Sequence, residues 1–335
     1  MKNTTIELKD KRVLLIIPKY FGYEEYIKRE FEKKGAVVYM IYENINHISL
    51  FYRAIYVFFK GIRHWVYKAH FEKKIRGIKE QIDTVVVIHG DALDESIIEE
   101  IRSKNPECRF ILYQWDSTKN NPSAIKLAPK FDSVLTFDKG DADKYGWTYR
   151  PLFFIQSLIG QEKVKKYDYS FIGLLHSKRV QILHSAKKEC NRLGLRFFYY
   201  LYSVGLVFFR HKFIQRDPEY INVDRRDVSF RPLSLEESYK IYGQSKAIID
   251  FSHPGQQGLT MRTIECLGQE CKLITNNKSI LQEEFYNPEN IYVYSDDKLV
   301  IPEDFLNKPY IRPSEDIYRK YSLSEWVDDL VRDLL

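Results

Sequence analysis

The sequence predicts an α/β protein with two doubly wound, Rossmann-like parallel sheets. Short and almost wholly apolar segments alternate with segments of helical periodicity, as expected when strands are buried on both faces. The length of 335 residues suits about two domains. Phe153 to Lys166 has no clear period and ends in a basic stretch, so we interpret it as the interdomain linker.

The first series of elements begins with the apolar run Arg12 to Pro18. A helix over Tyr23 to Lys34 follows and ends at Gly35, a common residue just beyond a helix. Further strands are predicted at Ala36 to Tyr42, Asp83 to His89, Arg109 to Tyr113, Phe131 to Phe137 and Thr148 to Leu152, with helices over Ser96 to Lys104 and through Tyr145. These elements define an N-terminal domain over residues 1–155.

The second series defines a domain over residues 167–315. Its strands are predicted at Asp168 to Leu174, Arg196 to Leu201, Ala247 to Phe251 and Lys272 to Thr275, and its helices at Ser177 to Arg192, Leu233 to Tyr242 and Leu259 to Gly268. Leu206 to Arg231 receives no assignment. Residues 316–335 are expected to form a terminal helix, amphipathic from Ser322 onward, that packs back on the N-terminal domain.

Composition narrows the possible partners and location. The net charge of +6 is too mild for a dedicated nucleic-acid binder and suits an anionic small molecule or an anionic membrane surface. The four cysteines form no C-x-x-C pair, which favours reduced thiols and a cytoplasmic protein. The N-terminal sequence has no apolar core of a signal peptide, and no window resembles a membrane span.

An aromatic and basic segment, Ser49 to Ile75, permits two interpretations. Its apolar residues share one helical face, which is typical of a helix that packs on a core. Its excess of Phe, Trp and Tyr over Leu, with Arg and Lys on another face, favours a helix that lies on an anionic membrane. The second interpretation would place the protein peripherally on the inner face of the cell membrane.

The chain from Ser245 to Ser295 predicts a phosphate-binding strand–loop–helix. A loop with Gly255 and Gly258 follows an apolar strand, and Arg262 and Glu265 come in the first turns of the next helix. Open α/β sheets bind phosphorylated ligands where such a loop meets a helix N-terminus. The alternative to a phosphate site is an ordinary ion pair between Arg262 and Glu265 on a helix surface.

Four motifs carry a resemblance to a known family. They are Tyr169-Ser170-Phe171-Ile172-Gly173 with Lys178-Arg179, Phe131-Asp132 to Phe137-Asp138, Gly258 to Glu265 with Gly268, and Leu273-Ile274-Thr275 with Glu284-Phe285. Together they resemble the CgeB-like branch of the group 1 glycosyltransferases, which act in bacterial surface polysaccharide synthesis. The resemblance covers about half of the chain, mainly Phe131 to Ser295, and implies the GT-B architecture of two Rossmann-like domains facing across a cleft.

The resemblance also implies a donor site for a nucleotide sugar. Gly258, Thr260 and Arg262 would bind the pyrophosphate from one side and Gly173, Lys178 and Arg179 from the other. Glu265 would bind the ribose hydroxyls. Apart from the resemblance, His253 is a candidate for contact with the sugar or the leaving phosphate, although a histidine beside proline in a turn is also commonplace. Many retaining enzymes of this class carry a second glutamate where this chain has Gln257, so the stereochemical outcome stays open. The reaction is expected to need no metal or other cofactor.

The acceptor side is expected on the first domain, at the carboxyl ends of its strands. An inverting transfer needs a general base, and the candidates are Asp116, Asp91 and His89. Each of them, taken singly, also suits a turn or helix-cap role. The expected activity is transfer of a sugar to a glycan or lipid-linked glycan in capsule, lipopolysaccharide or exopolysaccharide synthesis.

Two other functions remain open at this stage. A catalytically inactive GT-B-like module that binds a nucleotide or glycan would explain the glutamine at Gln257. A dinucleotide-dependent Rossmann enzyme is disfavoured, because Pro18 to Gly22 carries a single glycine where that class needs several.

Overall fold

The chain forms two compact α/β units. The computed structural model describes residues 6–43, 60–160, 164–175, 179–252, 257–294, 299, 301–302 and 304–332. The first unit comprises Met1–Leu152 and Leu323–Leu335, and the second comprises Phe153–Ser322. Each contains a six-stranded sheet whose neighbouring strands are all parallel. The predicted fold class is confirmed.

The sheet of the first unit has the order β2-β1-β3-β4-β5-β6. Its strands are β1 (Arg12–Ile17), β2 (Val37–Tyr42), β3 (Thr84–Ile88), β4 (Arg109–Gln114), β5 (Ser133–Thr136) and β6 (Thr148–Tyr149). Its helices are α1 (Tyr23–Lys33), α2 (Lys60–Arg76), α3 (Glu95–Lys104), α4 (Ser123–Leu127) and α5 (Lys139–Tyr145). The strand order reverses between β1 and β3, which is where open α/β sheets place their ligands.

The second sheet has the order β12-β11-β10-β7-β8-β9 and reverses between β7 and β10. Its strands are β7 (Tyr167–Leu174), β8 (Phe197–Tyr202), β9 (Val228–Ser229), β10 (Ser245–Ile249), β11 (Lys272–Thr275) and β12 (Ile291–Val293). Its helices are α6 (Arg179–Arg192), α7 (Gly205–Phe209), α8 (Pro218–Ile221), α9 (Leu235–Gly243), α10 (Met261–Gly268) and α11 (Glu315–Lys320). A π-helical turn, Arg210–Ile214, directly continues α7.

The apolar strands form the centre of each unit. All five residues of β3 are buried, and so are the last five of β1. The apolar face of α3, formed by Ile97, Ile98 and Ile101, packs on this sheet. Such segments bury apolar surface on both faces of the sheet, which is why a parallel sheet fits them.

The beginning of the predicted linker differs from the expectation. Phe153, Phe154 and Ile155 are buried in the second unit rather than lying at the end of the first. The Ile155 amide donates to the Tyr239 hydroxyl at 2.8 Å, and the Phe154 amide donates to the Tyr321 carbonyl at 2.8 Å. Three consecutive apolar residues have no period because this extended stretch is enclosed on all sides.

The terminal segment contains two helices rather than one. The first, α11, belongs to the second unit, whereas α12 (Leu323–Val331) belongs to the first. Trp326 of α12 is fully buried, and its ring meets that of Tyr113 edge-on with centroids 4.8 Å apart. Asp328 pairs with the buried Lys34 at 2.8 Å. These contacts fix α12 on the first unit.

The aromatic segment Ser49 to Ile75 is described only in its second half. Residues 49–59 lie outside the described residues. Further along α2, Tyr67, Phe71 and Ile75 are buried in the core of the first unit. This half follows the core-helix interpretation. Among the described residues, no helix is both long and apolar enough to cross a membrane.

Candidate functional site

A buried carboxylate organises the loop at the end of β10. Asp250 directly follows this strand and is fully buried. It accepts hydrogen bonds from the Thr260 hydroxyl at 3.0 Å and from the Thr263 hydroxyl at 3.1 Å, and it forms an ion pair with Arg262. A buried carboxylate needs such partners to offset its desolvation.

Thr260 also determines where α10 begins. It is the N-cap of this helix, and its hydroxyl accepts from the Thr263 amide at 3.2 Å. Threonine is among the favoured N-cap residues because its oxygen satisfies an amide that the helix leaves unpaired. The helix therefore begins at Met261, two residues after the predicted start.

The ion pair of Arg262 is not the helical pair that the alternative interpretation predicted. Its guanidinium forms an ion pair with Asp250 and not with Glu265. Burial on its own would lower the pKa of Arg262, but the adjacent Asp250 carboxylate outweighs burial and raises that pKa. Arg262 Nε has no hydrogen-bond partner among the described residues. Asp250 was absent from the predicted site because it read as the polar interruption of an apolar strand.

Phe171 of β7 lies between two parts of the candidate site: the loop that follows β7 and the start of α10. The strand order of the second sheet reverses at this point. The Arg262 guanidinium lies 5.9 Å from the centre of the Phe171 ring. A Cβ placed on Gly173 would lie 3.2 Å from the same ring and 3.5 Å from Arg179 Cδ. Arg179 Nη1 donates to the Leu174 carbonyl at 3.1 Å. Gly173, Arg179 and Arg262 are therefore neighbours at the carboxyl ends of β7 and β10.

The remaining predicted donor residues differ in how they are placed. Glu265 is buried in the second turn of α10. The Gly258 carbonyl accepts from Asn277 Nδ2 at 3.2 Å, which fixes the loop before Thr260. Lys178 and His253 lie outside the described residues. Gln257 is exposed.

In the first unit, His89 is held in an unusual backbone conformation after β3. Its φ is +80° and that of Gly90 is +77°. The His89 carbonyl accepts from Gln114 Nε2 at 2.7 Å and from Asn121 Nδ2 at 2.8 Å. A left-handed non-glycine residue is strained, so it persists only where its surroundings fix it, often at functional sites.

A buried glutamate after β2 lies beside the His89 ring. Glu43 Oε2 is 3.6 Å from His89 Nδ1, and the Glu43 carboxylate accepts from the amides of Gly90 and Ala92 at 3.2 Å and 2.6 Å. Burial on its own would lower the pKa of His89, but Glu43, Asp91 and Asp116 together raise that pKa above its ordinary value. Sequence reasoning missed Glu43 because nothing in its pattern distinguishes it from a surface glutamate.

The two candidate aspartates of the first unit have different surroundings. Asp116 Oδ1 accepts from the Ser117 amide at 2.9 Å and from Asn120 Nδ2 at 2.8 Å, which is the turn role that the alternative interpretation predicts. Asp91 is exposed. Both carboxylates are close enough to raise the pKa of His89. The structure thus brings all three predicted base candidates together.

Three aromatic residues follow β1 and β4 in the first unit: Tyr20 and Phe21 are exposed, and Trp115 is partly exposed. The Tyr20 and Trp115 rings are 5.9 Å apart, and those of Tyr20 and Phe21 are 4.7 Å apart. The buried Glu24 accepts from the amides of Tyr20 and Gly22 at 3.0 Å and 3.2 Å, so it fixes the loop after β1. We call Tyr20, Phe21 and Trp115 the aromatic ledge.

The described residues contain no group of three or more His, Cys, Asp or Glu side chains placed to hold a metal ion. The independence of the reaction from metal stays a prediction. All four cysteines are buried, and none is bonded to another.

Comparison with known proteins identifies the fold. The architecture is that of the GT-B glycosyltransferases. Anabaena HepE in complex with UDP-glucose matches with a TM-score of 0.62 at 9% identity over 96% of this chain and 99% of that chain. Sucrose-phosphate synthase from Thermosynechococcus elongatus matches with a TM-score of 0.63 at 10% identity over 97% and 99%. The lipopolysaccharide outer core galactosyltransferase WaaB matches with a TM-score of 0.52 at 12% identity over 97% and 100%.

No protein-family model matches the sequence. The search of curated proteins gave no significant match either.

Proposed function

We propose that this protein is a glycosyltransferase that uses a nucleotide sugar as donor. The observation that carries the proposal is the group of Gly173, Arg179, Thr260 and Arg262 at the reversal point of the second sheet, organised by Asp250. This is the position at which doubly wound sheets bind nucleotides. HepE, which has the same fold, is described in complex with UDP-glucose.

The proposed role of this group is to stabilise the leaving nucleoside diphosphate. Negative charge grows on the diphosphate as the bond to the anomeric carbon breaks, and fixed cations and amides stabilise it without reorganising. Arg179 and the amides at the start of α10 would supply these groups. Because Arg262 is paired with Asp250, we assign it first to holding the loop, and its direct contact with phosphate remains part of the proposal.

The first unit is proposed to bind the acceptor and to supply the general base. His89 is the strongest base candidate, since Glu43 orients its ring and its backbone is fixed by Gln114 and Asn121. The acceptor oxygen would bond to the anomeric carbon while its proton passes to the imidazole and the nucleoside diphosphate departs. The aromatic ledge offers faces on which a sugar ring can stack.

A glycan or a lipid-linked glycan of bacterial surface polysaccharide synthesis is the proposed acceptor. WaaB, which shares the fold, is described as a lipopolysaccharide outer core galactosyltransferase. We also propose a cytoplasmic protein that is peripheral on the membrane through the part of Ser49 to Ile75 that precedes the buried Tyr67. Flotation with anionic vesicles tests that segment, and Phe58→Asp should weaken binding; unchanged binding would contradict it.

Donor binding is the decisive experiment. A thermal-shift screen with UDP-, GDP-, dTDP- and CMP-sugars should show one class that raises the melting temperature by mass action. In calorimetric titrations with that donor, Arg179→Ala and Glu265→Ala should weaken binding at least about tenfold, the effect of losing one charged hydrogen bond. Arg192→Ala is the matched control for Arg179→Ala, because Arg192 is an exposed arginine at the other end of α6.

If no nucleotide sugar binds, the proposal is wrong. A second outcome is that the donor binds but nucleoside diphosphate is released neither in the presence of acceptor mixtures nor by hydrolysis without acceptor. In that case the protein is a binding module. The absence of a carboxylate at Gln257 is the observation that favours this second candidate.

A further inference from the structure

A helical segment of the second unit exposes large apolar side chains. Along α7 and the π-helical turn, the exposed fractions are 80% for Leu206, 53% for Phe209, 60% for Phe213 and 69% for Ile214. The Phe209 and Phe213 rings lie 5.1 Å apart, so two of these side chains already form one surface. Soluble monomeric proteins rarely expose contiguous apolar groups of this kind without an interaction to serve.

The opposite side of the same segment is anchored to the unit. Phe208 is buried, with its ring 5.9 Å from that of Tyr220 and 5.4 Å from that of Phe230. Lys212 Nζ donates to the Val223 carbonyl at 3.3 Å. The segment therefore has a packed side and an outer side, and its exposed phenylalanines are not the result of a helix that lacks contacts.

Two exposed arginines accompany the exposed apolar side chains. Arg210 and Arg216 are exposed, and Lys212 and His211 lie on the same turn. The sequence from Val204 to Arg216 contains no Asp or Glu. The first acid after it, Asp217, pairs with His211 Nδ1 at 3.1 Å. Aromatic and aliphatic groups among arginines are the composition of helices that lie in the interface of an anionic membrane.

We propose that residues 204–216 bind the surface of an anionic lipid bilayer. Leu206, Phe209, Phe213 and Ile214 enter the boundary between headgroups and acyl chains, while Arg210 and Arg216 contact lipid phosphates. A second copy of the chain fits this surface less well, because a symmetric interface would bring these arginines near their own copies. The inference does not depend on glycosyl transfer, and it assigns a role to the segment that the sequence left open.

Flotation of the full-length protein tests the proposal. Vesicles of phosphatidylcholine with about one-third phosphatidylglycerol provide the anionic surface, and pure phosphatidylcholine provides the neutral one. The variant Phe209→Asp/Phe213→Asp should lower the partition coefficient on anionic vesicles at least about tenfold. Leu281→Asp/Ile311→Asp is the matched control, since it makes the same charge change at exposed apolar residues of the same unit. Melting curves confirm that both variants fold.

A second pair of substitutions tests the electrostatic contribution to membrane binding. Arg210→Gln/Arg216→Asn should weaken binding to anionic vesicles and leave any binding to neutral vesicles unchanged, and added salt should have the same effect. The proposal is overturned if the wild-type protein does not float with anionic vesicles or if Phe209→Asp/Phe213→Asp floats as well as the control. It is also overturned if the wild-type protein self-associates without lipid and this variant does not. Donor binding by calorimetry should be the same in all these variants, which separates this proposal from the proposed function.

Discussion

Asp250 and Arg262 are twelve positions apart in the sequence and form an ion pair beside the candidate diphosphate site. Asp250 directly follows β10 and Arg262 lies in the first turn of α10, and the same carboxylate also accepts hydrogen bonds from Thr260 and Thr263. One buried side chain therefore sets the position of the loop and of the start of α10.

Removal of the Asp250 charge should destabilise the second unit. We expect Asp250→Asn to lower the free energy of unfolding by about 3–5 kcal/mol, because it leaves the Arg262 guanidinium buried without its counter-ion. Urea unfolding followed by fluorescence measures this. The double variant Asp250→Leu/Arg262→Met should cost less than Asp250→Asn, since it removes both charges together.

The double variant also separates a structural role of Arg262 from a phosphate contact. If Asp250→Leu/Arg262→Met folds and binds the donor as the wild type does, Arg262 is not a phosphate ligand. If Asp250→Asn unfolds at the same urea concentration as the wild type, the ion pair contributes nothing to the free energy of unfolding.

A second prediction concerns Gly268, at the end of α10. A Cβ at this position would lie 2.5 Å from Phe154 Cγ, closer than real side chains approach. Gly268→Ala should lower the free energy of unfolding by about 1–3 kcal/mol, because the buried Phe154 ring must shift in a packed core. Thermal unfolding measures it. Gly205→Ala is the control, since nothing lies within 4 Å of a Cβ placed there, and an unchanged melting temperature for Gly268→Ala would contradict the packing.

The third prediction concerns the pKa of His89, which is raised above the ordinary value of 6.5. The protonated ring is favoured in the folded state, so its contribution to stability is complete below pH 6.5 and is lost as pH rises through the raised pKa. An NMR titration, assigned with His89→Gln, should show this. Glu43→Gln should lower the pKa, whereas Glu99→Gln, on the exposed face of α3, should not.

If His89 takes the acceptor proton, the rate of transfer should rise with pH through the same raised pKa, because the neutral ring is the base. In Glu43→Gln the rise should move to lower pH. A rate profile that is identical in the two proteins would exclude His89 as the base.

The fourth prediction concerns Trp326, which closes the core of the first unit. Trp326→Ala should cost about 3–5 kcal/mol, since a fully buried indole leaves a large cavity against Tyr113. Chemical denaturation measures it. Trp147→Ala should cost much less, because Trp147 is partly exposed. Equal effects of the two substitutions would contradict the packing of α12.

The sequence was most informative where burial alone decides the structure. Central strands such as β3 must be apolar on both faces, so their predicted and observed bounds agree within a few residues. The short edge strand β9 lies in the segment that received no assignment. Phe153 to Ile155 were assigned to a linker for a related reason: an extended segment that is enclosed on all sides has neither the period of a helix nor the alternation of a half-buried strand.

The site was less predictable, because its order depends on contacts between distant residues. Glu43 and His89 are 46 positions apart, and no local pattern shows that the glutamate will accept the amides of Gly90 and Ala92. The positive φ of His89 likewise follows from Gln114 and Asn121, which hold its carbonyl. Asp250 gave a local signal, a carboxylate at the end of an apolar strand, and such residues merit a search for a buried cation.

The return of α12 to the first unit has a consequence for how the chain is made. The second unit is one uninterrupted stretch, Phe153–Ser322, whereas the first also needs Leu323–Leu335. A ribosome therefore delivers every residue of the second unit before it delivers the helix that covers Tyr113. The first unit, although it is translated first, is completed last, and until then its sheet lacks the helix that packs on Tyr113.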